Sequence, residues 1–234
     1  ALGRKLSEFY SRTPESGPAG DDDLWDIVSA NCMGNFCHTE SCCGTVLDRD
    51  MWETVQGASF SFLKHNRDLF NKRVRQGRVK DCHGDLRCEH IYFTGAGIRI
   101  IDCIEFNDDL RSIDVISDLS FLLMDFDSRQ EPFLGECILN QYLKQTRDFE
   151  AMRLICFYKC YRAMVRCKVN CLLIKQAGVK SHRAGDIGMA ARKYLDLSFQ
   201  YALQFFRPRI WIVCGLPASG KSTLAKELAA LIGC

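Results

Sequence analysis

A mainly α (α+β) chain with one small β hairpin is expected from this sequence, closed by a strand, a glycine-rich loop and a further helix. Three observations carry that expectation. Apolar residues recur every three or four positions over most of 1–206, the helical period. The period breaks near 91–101, where Ile91, Tyr92 and Phe93 and then Ile98, Ile100 and Ile101 flank Gly95 and Gly97. A continuous apolar run at 210–214 leads into a loop holding Gly215 and Gly220.

The elements follow in order. Leu2, Leu6 and Phe9 lie at helical spacing and Pro14 stops the run. Residues 15–23, rich in Ser, Gly, Pro and acids, read as a loop, and a helix starts near Leu24. Met51, Val55, Phe60, Phe62, Leu63, Leu69 and Phe70 mark one or two amphipathic helices between 46 and 74. The hairpin comes next, then helices at 113–124, 131–145, 149–175 and 184–206. Residues 207–209 (Arg-Pro-Arg) form a polar joint before a strand at 210–214, the loop at 215–222 and a helix at 223–232. Two domains result, 1–206 and 207–234.

Composition excludes several classes. Lys and Arg total 31 against 29 Asp and Glu, so overall charge argues for neither a nucleic acid nor a membrane surface. Apolar runs of four or five residues fall far short of the ~20 that span a bilayer. The first thirty residues hold Asp21, Asp22 and Asp23 and no apolar export core. Fourteen cysteines in 234 residues stay below the ~8–10% of a disulfide scaffold. Reduced thiols in a cytoplasm are the expectation.

Residues 215–222, Gly-Leu-Pro-Ala-Ser-Gly-Lys-Ser, fit the Walker A pattern G-x-x-x-x-G-K-[ST] in full. Gly215 and Gly220 let backbone N–H groups curl around phosphate oxygens, and the following helix adds partial positive charge. Ser219 and Thr223 complete the cradle, Lys221 reaches the outer phosphates, and the Ser222 hydroxyl holds Mg²⁺. ATP and Mg²⁺ are the expected ligands. Twelve residues follow Ser222. A P-loop domain needs further strands, so the chain is expected to stop inside its second domain, with no nucleotide turnover by that half.

A second constellation lies mid-chain: His83-Gly84-Asp85-Leu86, then His90, then Ile100-Ile101-Asp102. It resembles the catalytic loop and metal segment of the protein-kinase-like fold in its aminoglycoside phosphotransferase form. The resemblance implies Asp85 as the base that accepts a substrate hydroxyl proton, with His83 beside it in the catalytic loop. It implies Asp102 and His90 as metal ligands. It implies that Asp114, in the segment after the metal Asp, holds the catalytic loop. Phe157 to Ala163 looks like a subgroup in which such a domain precedes a P-loop domain on one chain. Two positions depart from the pattern. Arg87 stands where a second His is common, and His90 stands where kinases have Asn. Mg²⁺ prefers oxygen, whereas imidazole suits Zn²⁺ or Mn²⁺. Residues 1–80 offer no small β lobe, so the chain is expected to begin after one.

The remaining signals are plainer. Cys32, Cys37, His38, Cys42 and Cys43 fit no zinc spacing and read as small packed thiols. Cys156, Cys160, Cys167 and Cys171 share one helix face with Met164, a core stripe. Lys159, Arg162 and Arg166 line another face that reads as solvated, as do Lys180, His182 and Arg183. The expected function is ATP-dependent phosphoryl transfer to a small-molecule hydroxyl in a longer parent, the piece itself being inactive. The alternative is a non-catalytic nucleotide-binding regulatory or scaffold module. A third idea makes the P-loop domain the kinase and the first domain its substrate carrier.

Overall fold

The computed structural model describes residues 1–16, 23–177, 182–206 and 212–232. Helix α1 (Leu2–Arg12) turns its Leu2, Leu6 and Tyr10 edge inward and ends where Thr13 becomes extended ahead of Pro14. Phe9, expected on that buried edge, is 41% exposed. Tyr10 takes the core position, where its hydroxyl donates at 3.0 Å to a buried carboxylate, Asp118.

Two carboxylates start the next helices. Asp23 accepts the Asp26 N–H at 2.9 Å and opens α2 (Leu24–Thr39). Asp48 accepts the Met51 N–H at 2.9 Å and opens α3 (Arg49–His65). Such caps satisfy helix-end donors that would otherwise lack partners. Asn66 breaks the amphipathic stretch, and α4 (Arg67–Arg75) follows.

Strands β2 (Ile91–Thr94) and β3 (Gly97–Ile100) pair antiparallel as the expected hairpin, with Thr94 opposite Gly97. A second pair is new. Strand β1 (Val79–Asp81) joins β4 (Ser112–Asp114), Lys80 opposite Ile113. The helix expected from 113 therefore begins at Val115 as α5 (Val115–Ser128). Three-residue strands separated by some thirty residues leave no local period to read. The pair brackets residues 82–111, and so anchors both ends of the segment that carries the candidate site.

Helices α6 (Pro132–Thr146), α7 (Ile155–Ala177), α8 (His182–Phe206) and α9 (Lys221–Ile232) complete the chain. The helix expected from 149 starts with a 3-10 turn, Phe149–Arg153, before α7. Helix α7 sits centrally, against α8, α5 and α2. Its Phe157, Tyr158, Cys160, Ala163, Met164, Cys167 and Cys171 are buried, so the thiol stripe is core and Cys156 lies at its half-buried edge. Arg162, expected in solvent, is buried too. His182 begins α8 rather than lying in a loop, Lys180 is outside the described residues, and Arg183 lies within α8.

Residues 210 and 211 are outside the described set, and the expected strand does not form at 212–214. No described strand lies beside that run to complete a ladder, and an isolated strand leaves its amides and carbonyls without partners. Among the described residues no helix is long and apolar enough to cross a membrane.

Candidate functional site

The loop between β1 and β2 carries His83, Gly84 and Asp85, and its backbone is held from below by a buried carboxylate. Asp118, on the first turn of α5, accepts the Gly84 N–H at 2.9 Å, the His83 N–H at 3.3 Å and the Tyr10 hydroxyl at 3.0 Å. Asp114 was expected to do this. It instead caps α5, accepting the Ile116 N–H at 3.0 Å, and pairs with Arg73 of α4 through two bonds of 2.8 Å. Arg73 is wholly buried and also grips Asp148. The two acids lie one helical turn apart, and only the paired strands decide which one reaches the loop.

Arg162 completes the clamp. Its Nη1 donates to the Gly84 carbonyl at 3.1 Å and its Nε to the Ser117 carbonyl at 3.2 Å, with the guanidinium 4.9 Å from the Phe121 ring centre. Gly84 has φ +84, and a Cβ there would lie 2.9 Å from both the Leu110 carbonyl and Ile104 Cδ1. Left-handed geometry and close approach of another backbone both require glycine.

The two histidines stack, ring centres 5.7 Å apart, and donate through different nitrogens. His83 Nε2 donates to the Ile101 carbonyl at 2.8 Å, while its Nδ1 accepts the Asp85 N–H at 3.3 Å. Both nitrogens are thus spent on backbone. His83, expected among the catalytic residues, ties the loop to the residue before Asp102. His90 bonds the Asp85 carbonyl through Nδ1 at 2.8 Å. A carbonyl only accepts, so that nitrogen carries a proton. Nε2 lies 3.4 Å from Asp102 Oδ2 and 3.7 Å from Glu89 Oε1.

The expected trio therefore gathers around one ring: Asp85 Oδ2 is 3.9 Å from His90 Nδ1, and Asp102 faces Nε2. Asp102 is 77% exposed at its side chain and has φ +64, a conformation that Asp adopts more readily than branched residues. The Asp85 carboxylate is engaged by Arg87, Nε to Oδ1 at 2.8 Å and Nη2 to Oδ2 at 2.7 Å. Burial opposes ionisation of Asp85. The Arg87 pair, helped by His90 and Arg166, outweighs it and holds the carboxyl below its usual range. Arg87 also pairs with Glu89. Its position was legible in the sequence; its hold on Asp85 was not.

Asp125 on α5 accepts the Cys88 N–H at 2.9 Å and fixes the 3-10 turn Cys88–His90. Burial and Asp125 push the Cys88 thiol up to about 12, so it is no nucleophile at neutral pH. A cavity of about 870 Å³ lies between α1, the hairpin and the loop. Its walls include Phe9, His83, Ile98 and Ile101, but not Asp85, His90 or Asp102. It adjoins the carboxylate cluster without containing it.

At the other end, Ala218 and Gly220 are left-handed on either side of Ser219, and α9 begins at Lys221. Alternating handedness of this kind turns successive N–H groups into an anion-sized hollow. Lys221 Nζ donates to the Leu216 carbonyl and closes the loop on itself. A Cβ on Gly215 would lie 2.9 Å from Ser219 Oγ. Ser222 and Thr223 are exposed in the first turn of α9. Among the described residues no three His, Cys, Asp or Glu side chains stand assembled as a metal centre, at Cys32–Cys43 or elsewhere.

No family model matches the chain. No solved structure matches it either. It is similar to uncharacterized proteins of Mycobacterium tuberculosis (strains H37Rv and CDC 1551) and of Mycobacterium bovis, each 30% identical over 233 residues. The match covers all of this chain but 45% of each relative, so the chain spans about half the length of the curated relatives it matches.

Proposed function

We propose that residues 1–206 form the large lobe of a kinase-like phosphotransferase and that 207–234 open a P-loop nucleotide-binding domain, the whole acting in a cytoplasm. The reaction moves a phosphoryl group from ATP to a small-molecule hydroxyl. The observation that carries this reading is the grouping of Asp85 and Asp102 on either side of the His90 ring.

Asp85 accepts the proton of the attacking hydroxyl. Arg87 fixes the plane of that carboxylate, and Asp118 and Arg162 hold the loop beneath it. Asp102, exposed and directed at the open side of His90, suits a divalent cation with nucleotide phosphates attached. The cation, when bound, neutralises charge on those phosphates. Phosphoryl transfer depends mainly on positioning and charge, and the buried supports of this loop supply the positioning. Lys221, Ser222 and the amides of 215–223 form the second nucleotide site.

The test is ATP consumption by the longer parent protein against a panel of hydroxylated small molecules. Asp85→Asn, which keeps the shape, is expected to lower turnover about 10²–10⁴-fold, the range for loss of a general base. Turnover unchanged in Asp85→Asn overturns the reading. One observation favours a second reading. Both Asp85 oxygens are already bonded to Arg87, which suits a non-catalytic nucleotide-binding module. That reading expects nucleotide to bind with no turnover in either protein.

A further inference from the structure

We infer that the cation site beside the loop is built for a first-row transition ion, held by His90 Nε2 and the Asp102 carboxylate, in preference to Mg²⁺. The inference deepens the reading above and rests on it only for what the ion would serve.

The argument starts from the His90 ring. Its side chain is 9% exposed and cannot turn freely, since Nδ1 is bonded at 2.8 Å to the Asp85 carbonyl and the ring stacks on His83. That bond places a proton on Nδ1, so a neutral ring offers Nε2 to a cation. It leaves Nε2 without a hydrogen bond among the described residues, facing Asp102 at 3.4 Å. Metal-bound histidines use this arrangement: the ring nitrogen away from the metal donates to a backbone carbonyl or carboxylate, which sets tautomer and direction.

The donor set then selects the ion. Mg²⁺ takes oxygen ligands at 2.0–2.1 Å in a strict octahedron and gives up water reluctantly. An aromatic nitrogen in place of an amide oxygen removes one of the few protein oxygens offered to it. Transition ions accept imidazole readily, at about 2.0–2.1 Å for Zn²⁺. The 3.4 Å gap between Nε2 and Oδ2 matches two ligands about 2.1 Å from one ion at a tetrahedral angle, and closing to about 3.0 Å would suit an octahedral one. Two protein ligands leave the other positions for water or phosphate oxygens. Glu89 Oε1, at 3.7 Å from Nε2, is placed to accept from one of those waters.

The experiment uses the metal alone. Free Mn²⁺ is followed by its paramagnetic resonance signal as the chain is titrated, with Mg²⁺ as competitor. Expected are one Mn²⁺ per chain and displacement only at Mg²⁺ concentrations at least tenfold higher. His90→Asn is expected to weaken Mn²⁺ at least tenfold and to bring the two ions within about threefold of each other. Thermal melts and circular dichroism confirm that the variant is folded, and Asp102→Asn serves as a second variant expected to abolish binding. Equal competition by Mg²⁺ in the wild type, or undiminished Mn²⁺ binding in folded His90→Asn, overturns the inference. Binding does not require turnover. Failure of the phosphotransferase reading would therefore leave this result standing, and the reverse also holds.

Discussion

Asp118→Asn tests whether the loop is held from beneath. The carboxylate takes three hydrogen bonds, from the Gly84 amide at 2.9 Å, the Tyr10 hydroxyl at 3.0 Å and the His83 amide at 3.3 Å. Asparagine keeps one acceptor oxygen and turns an NH₂ group toward donors. Hydrogen bonds to charged groups contribute about 1.5–3 kcal/mol each, and a buried donor left unpaired costs about 1–3 kcal/mol. The longest of the three is the weakest, and bonds to one group do not add fully. A loss of about 3–5 kcal/mol follows. Urea unfolding measures it as a lower midpoint at unchanged slope. Hydrogen exchange locates it. The amides of residues 83 and 84 should lose protection, while those in the middle of α7 should fall only by the global change. Unchanged protection at 83 and 84, whatever the global stability, refutes the tether.

Two further outcomes follow from the same loop. Gly84→Ala forces a Cβ into a left-handed position 2.9 Å from the Leu110 carbonyl. With about 1–2 kcal/mol for the conformation alone and about 2–4 °C per kcal/mol at this size, calorimetry should show a melting point lower by about 2–8 °C; an unchanged melting point contradicts the close approach. Arg87→Ala removes the partner that depresses Asp85, leaving burial to push the carboxyl upward. The folded value now lies below the unfolded one, so the pair stabilises above about pH 4 and that contribution is lost as pH falls through the lowered folded value. Carboxyl ¹³C titration should show Asp85 moving up in the variant, and the stability gap between the two proteins should narrow in acid. An Asp85 titration that does not move would mean that Arg87 does not govern its charge.

Local pattern carried the helices, the hairpin and the three side chains that the fold groups around the His90 ring. Asp85, His90 and Asp102 were legible because the two motifs that hold them are each short and contiguous. Their supports were not. Arg162 looked like a solvated cation because helical spacing places it beside Lys159 and Arg166. Only the fold shows that its turn of α7 faces Gly84 and Phe121. Asp114 and Asp118 are equivalent to any periodic reading, and the β1–β4 pair separates them by drawing Asp114 toward α4. Phe9 and Tyr10 exchanged places for a related reason, since Asp118 offers the tyrosine hydroxyl a buried acceptor.

The supports and the motif carboxylates divide by burial. Asp118, Asp114, Arg73 and Arg162 are buried, paired and directed at backbone or at one another. Asp85 is less enclosed and Asp102 is open. A buried ion needs a fixed partner to offset its lost hydration, so each buried charge also fixes the geometry around it. An exposed carboxylate carries no such debt and can exchange water for a cation. The short contiguous motifs name the second class directly. The first class is restricted only by what lies across the fold, and Asp118 shows this most clearly: its partners are residues 10, 83 and 84, far from it along the chain.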